Sequence, residues 1–141
     1  MVTFERTDGA KKRLPTRAEM TRWIEAASFV PFEGAVRFVG NEEGQELNRT
    51  YRHKDYATNV LTFDYCHKPT AQADIVIATA VIAKEAKEQN KSFREHLAHM
   101  FIHSVLHAQG WDHLTDEEAE AMEKVETEIL SGLGFADPYS D

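Results

Sequence analysis

Residues 103–113 read HSVLHAQGWDH, a His-x3-His pair followed by a glycine and then a third histidine. A helix turns once in about 3.6 residues, so His103 and His107 leave one face with Cβ atoms about 6 Å apart, near enough to share an ion. Two histidines four apart are by themselves an ordinary feature of helices, and more often mark a hydrogen-bonded or surface pair than a metal site. The surroundings alter that balance. Leu97, Met100, Phe101, Ile102, Val105 and Leu106 make the segment strongly apolar, ground on which uncompensated imidazoles are costly. Gly110 stands three residues past His107, where a left-handed glycine ends the helix and turns the chain back, returning His113 to the same face. The run thus demands an apolar helix that ends in a tight reversal. Three neutral imidazoles with no fourth ligand in the run leave one coordination position open, the catalytic rather than the structural pattern for zinc.

At 141 residues the chain is expected to form one domain with a core that needs no staples. Cys66 is its single cysteine, so no intrachain disulfide can form, and nothing near it signals an activated thiol. No apolar run approaches roughly eighteen residues and MVTFERTDGAKKR carries no apolar signal core, so a soluble, cytoplasmic protein with no membrane partner is expected. The net charge of −8 would seem to speak against nucleic acid, but residues 115–141 hold nine acids against Lys124 alone and account for all of it. The rest of the chain is balanced, which leaves room for a local basic cleft. The acidic run itself reads as the solvated face of a helix.

The pattern of elements is α+β. TFERT suits an edge strand, and TRAEMTRWIEAASFV places Met20, Trp23, Ile24 and Ala27 at helical spacing behind a Thr16 cap. GAVRFVG, NVLTFDY and ADIVIAT read as strands, the last buried, with a turn and short helix over NEEGQELNRTYRHKD. VIAKEAKEQNK is a helix, and SFREHLAHMFIHSVLHAQ is another, opened by a Ser92/Glu95 capping box. A last helix follows Thr115, with Glu118 completing a second box and Ala121, Met122, Val125, Ile129 and Leu130 as its apolar stripe. The expected architecture is a single domain, 1–141, with a small mixed four-stranded sheet packed against several helices and the histidine helix central.

A tris-imidazole zinc ion lowers the pKa of water and polarises carbonyl or phosphoryl oxygens, which suits hydrolysis. In metalloproteases with a related helix a glutamate follows the first histidine as general base; here that position is Ser104. Asp112 and His99, one turn before His103, are the nearby groups that could orient ligands or move protons. Upstream, in LNRTYRHKDYATNVLTF, Arg52 lies among Tyr51, His53 and Lys54. A guanidinium binds phosphate through two parallel hydrogen bonds, although on composition alone a surface ion pair is the commoner role. Asn48, Thr58 and Asn59 read as turn formers.

HSVLHAQGWDH closely resembles the histidine motif of the YbeY family, and LNRTYRHKDYATNVLTF and ADIVIA resemble its two other characteristic segments, in order and at fitting separations. The likeness covers residues about 45 to 133 and is looser in the N-terminal third. The family comprises bacterial zinc-dependent endoribonucleases acting on single-stranded RNA, implicated in 16S rRNA 3′-end maturation and ribosome quality control. The resemblance implies that His103, His107 and His113 bind one Zn2+ per chain, and that Arg52 is the functional arginine on the RNA phosphate. It implies as partners the 16S rRNA precursor and the small ribosomal subunit with its assembly factors. Where the family usually has glycine, glycine and serine, this chain has Ser104, Ala73 and Thr62; a hydroxymethyl at 104 would narrow the space near the metal if it pointed inward.

On that basis single-stranded RNA is expected across a cleft between the histidine helix and the sheet edge. Either the metal activates a water, or it neutralises the phosphoryl oxygen while another group takes the proton; the sequence fits both. Two other functions suit the same residues: a metallopeptidase-like hydrolase, opposed by the missing glutamate, and a non-catalytic ribosome-assembly factor with a structural metal.

Overall fold

A computed structural model describes residues 2–8, 14–40, 42, 43, 45, 46, 49, 59–112 and 114–139. In chain order its elements are β1 (Val2–Arg6), α1 (Arg17–Ala27), β2 (Phe32–Val39), β3 (Val60–Cys66), β4 (Ala71–Ala78), α2 (Thr79–Glu88), α3 (Phe93–Ala108) and α4 (Asp116–Gly132). The short helix expected after residue 40 falls largely outside the described residues; those described at 42, 43, 45, 46 and 49 are helical. No helix among the described residues is long and apolar enough to cross a membrane.

The sheet is four-stranded and mixed, in the order β1-β2-β4-β3. β1, β2 and β4 run parallel, and β3 closes one edge antiparallel to β4. Apolar residues alternate between the faces of β4, whose central position buries both. Ala71, Ala73, Ile75 and Ile77 face the main core, while Val76 and Ala78 join Val39 and Leu61 in a smaller cluster on the other face. Register carries that division to β3. Val60, Thr62 and Asp64 lie opposite Ile77, Ile75 and Ala73 and so share the main-core face.

Against that face lies α3, which also touches α1, α2 and α4. Leu97, Ala98, Phe101, Ile102, Val105, Leu106 and Ala108 are fully buried, so the helix is enclosed nearly all round. Each large apolar side chain among them stabilises the fold by roughly 1.5–3 kcal/mol. Trp23 of α1 meets Phe101 edge-on at 5.6 Å, and the Ser92/Glu95 capping box starts the helix as its sequence implies. At α4 only half of the second box forms: Thr115 Oγ1 accepts from the Glu118 amide at 3.1 Å, and no return bond from the Glu118 carboxylate is seen among the described residues.

Three helices end in the same way. After α3, Gly110 takes φ +98°, its amide donates to His107 and the Trp111 amide reaches back to Leu106 at 3.2 Å. Asn90 after α2 and Gly134 after α4 make the same pair of reversed bonds from left-handed backbone. These caps satisfy carbonyls that a buried helix end would otherwise leave unpaired.

One glycine is fixed by space as well as by conformation. Gly34 of β2 has φ +148°, and a Cβ there would lie 1.7 Å from the Ala73 carbonyl oxygen. Gly34→Ala is therefore expected to destabilise the fold by at least about 2 kcal/mol in chemical denaturation, combining clash with backbone strain. Gly132→Ala, where nothing lies within 4 Å of the added atom, should be neutral or stabilising by up to about 1 kcal/mol. Equal effects of the two would contradict this local packing.

Candidate metal centre

α3 carries His96, His99, His103 and His107 along one stripe, and each has an acceptor supplied from elsewhere or from the turn that follows. His107 Nδ1 lies 3.1 Å from the Trp111 carbonyl oxygen, brought there by the Gly110 reversal. A carbonyl only accepts, so the proton of this ring is on Nδ1 and the lone pair on Nε2. His103 Nδ1 lies 2.6 Å from Glu126 Oε2, with the same consequence if the carboxyl is ionised. That condition is met. Burial pushes the Glu126 carboxyl up, but hydrogen bonds from His103, His99 and Tyr139 outweigh it and hold the pKa at about 2.

Two imidazoles four apart, each with Nδ1–H engaged and Nε2 as the electron pair to offer, fit a zinc site by donor chemistry. The third member, His113, and the arginine, Arg52, both lie outside the described residues, as do Asn48, Tyr51, His53, Lys54 and Thr58. Among the described residues no group of three metal-ligating side chains is found. The pair His103/His107 is thus what the structure brings together of the expected set.

Glu126 was hidden in the acidic run and is not on its solvated face. It is fully buried, with His99 Nε2 2.9 Å from Oε1 and the Tyr139 hydroxyl donating to the same oxygen. Burial and the adjoining carboxylate push the Tyr139 phenol up, so it remains a donor. The signal was present in the spacing: Met122, Glu126 and Leu130 step by four, which puts the carboxylate in the middle of the buried stripe. His96 is treated similarly, its Nε2 2.9 Å from Glu85 of α2. Ser104 does not narrow the metal side; its hydroxyl donates to the Met100 carbonyl at 2.8 Å. Asn59 is more than a turn former, since its amide donates to Glu85 at 3.0 Å. Cys66 is only partly buried and its thiol contacts the Lys68 carbonyl at 3.2 Å.

Gln109, the residue that caps α3, ties the helix end to the α1–β2 connection. Its side-chain oxygen accepts from the amides of Phe29 (2.7 Å) and Val30 (3.3 Å), and its nitrogen donates to the carbonyls of Ala27 and Val105. On the opposite side of the turn lies His67: a Cβ built on Gly110 would come within 3.1 Å of its Nδ1. His67 Nε2 is 2.7 Å from Asp64, which projects from the core-side face of β3. The sequence reading missed this pair as well.

Burial raises the Asp64 carboxyl, but the His67 hydrogen bond, a main-chain contact and the fields of His107 and His67 hold it below the usual carboxylate range. A depressed carboxyl adds stability above its unfolded value of about 4, which is lost as pH falls through the folded one. In His67→Ala the Asp64 carboxyl is expected to titrate at higher pH than in the parent chain, followed by carbon NMR. An unchanged midpoint would show that His67 contributes nothing to Asp64 in solution.

Comparison with known proteins bears on the whole chain. The family model described as Endoribonuclease YbeY matches residues 7–134. A protein of that name from Delftia acidovorans is 60% identical over 126 residues, spanning 89% of this chain and 83% of its own. Another from Paracidovorax citrulli is 53% identical over 139 residues, spanning 98% and 91%. In fold, the solution structure of TM1509 from Thermotoga maritima is similar with a TM-score of 0.63 over the whole of both chains, at 23% identity. The match extends upstream of residue 45, through the N-terminal third where the motifs are looser, and on the strength of the family model and these relatives the chain belongs to the Endoribonuclease YbeY family.

Proposed function

We propose that this protein is a zinc-dependent endoribonuclease cutting single-stranded RNA, with one ion per chain held by His103, His107 and His113 and with Arg52 contacting the phosphate. The activity follows from the name its relatives carry, Endoribonuclease YbeY. One observation carries the metal reading: both described histidines of the motif have Nδ1 against an acceptor, which leaves Nε2 as the electron pair each ring can give. An ion so bound supplies Lewis acidity at a phosphoryl oxygen. The remaining work belongs to side chains. Arg52 takes up the charge that grows on the phosphate through a two-pronged hydrogen bond. In this reading the unpaired strand lies across the side of the protein where α3 meets the edge strand β3. The cellular substrate of this reading is the 3′ end of the 16S rRNA precursor, met on the small ribosomal subunit with its assembly factors in the cytoplasm and serving ribosome quality control.

Purified protein is expected to cut a short unpaired RNA, to spare a duplex and a peptide library, and to stop in the presence of a chelator. His107→Ala should lose both zinc and cleavage, and stoichiometric zinc in that variant would overturn the ligand assignment. Arg52→Ala should lose cleavage by roughly 10²-fold or more while zinc stays near one per chain. Loss of metal with Arg52 would make it a structural residue instead. Full assembly of small subunits by a variant that cannot cut RNA would point to a docking role.

A further inference from the structure

α4 places a carboxyl side chain where a leucine would fit. Glu126 has Met122 and Leu130 one turn to either side in the same buried stripe, and none of its surface is exposed. Removing a carboxylate from water is costly, and apolar residues of like volume often stabilise such positions as well or better. A core alone gives no reason for Glu126. Its contacts do: Oε2 meets His103 Nδ1 at 2.6 Å, and Oε1 receives His99 Nε2 at 2.9 Å together with the Tyr139 hydroxyl.

The two histidines use different nitrogens on the same carboxylate. His103, 30% exposed at its side chain, gives Nδ1 and so keeps Nε2 as its electron pair. His99, at 10%, gives Nε2, and its Nδ1 is buried without a hydrogen-bond partner among the described residues. A carboxylate that merely paired two rings would have no need of this exchange. We propose that Glu126 is a positioning residue for the metal ligand His103, fixing its tautomer and the aim of its Nε2, and that His99 and Tyr139 hold the carboxylate against rotation. His99 is then a support and not a fourth ligand. The inference rests on the reading of His103 as a zinc ligand.

Two measurements test it. In zinc-loaded wild-type protein labelled with 15N-histidine, two-bond proton–nitrogen spectra should show His103 protonated on Nδ1 and His99 on Nε2. Protonation of His103 on Nε2 would overturn the proposal whatever the variants do. In Glu126→Gln, whose amide turns a donor toward donors, zinc affinity measured by competition with a chelator should fall roughly 10–100-fold. Tyr139→Phe, which removes one donor at the half-exposed end of the network, should lower affinity by less and in the same direction. A general loss of packing would lower the melting temperature without moving the His103 tautomer, so the spectra of a folded variant separate positioning from support. A folded Glu126→Gln that binds zinc as tightly as wild type sinks the positioning role. Wild-type protein that binds no zinc, or His107→Ala that keeps it, sinks the site itself, and the two failures are therefore distinct.

Discussion

The fold turns on the enclosure of α3. A helix buried on nearly every side has little water for its polar side chains, so each of these side chains is met by at least one protein partner, most of them delivered from outside the helix. His96 is met by Glu85 of α2, His99 and His103 by Glu126 of α4, His107 by the carbonyl of Trp111, and Ser104 by its own helix at Met100. The neighbours of α3 are thus selected twice, once by the shape of their apolar faces and once by the acceptor each carries. Moving α4 by one turn would keep much of the apolar contact and leave two histidines unanswered.

Local features were legible because their causes are local. The caps at Thr16 and Ser92, the reversal at Gly110 and the strand alternation all depend on residues within a few positions of each other, and helices α1 to α4 and strands β1 to β4 are legible from such local signals. The mixed sheet could be anticipated, but its order could not: nothing within β2 or β4 states that they pair across an intervening strand. Glu126 and Asp64 escaped for the same reason. A glutamate in a run of acids looks solvated until the position of α3 is known, and an aspartate near a strand end gains meaning only when His67 and Gly110 are brought beside it. His103 and His107 stood out because both halves of their argument, spacing and stop signal, lie in one stretch of eleven residues.

The charge balance reads differently once the fold is known. One of the acids that make the chain net negative is buried inside the protein, where imidazole donors hydrogen-bond it, and so it adds nothing to the surface that a ligand meets. An overall negative chain and a polyanionic substrate are compatible when charge is distributed by element in this way.

Gln109 reaches only main-chain atoms at Ala27, Phe29 and Val30. Such a clasp is indifferent to which side chains those residues bear. The clasp therefore holds the path of this connection, and with it the helix end beside His107, while the side chains there answer to packing alone: Ala27 in the core and Phe29 against Trp111.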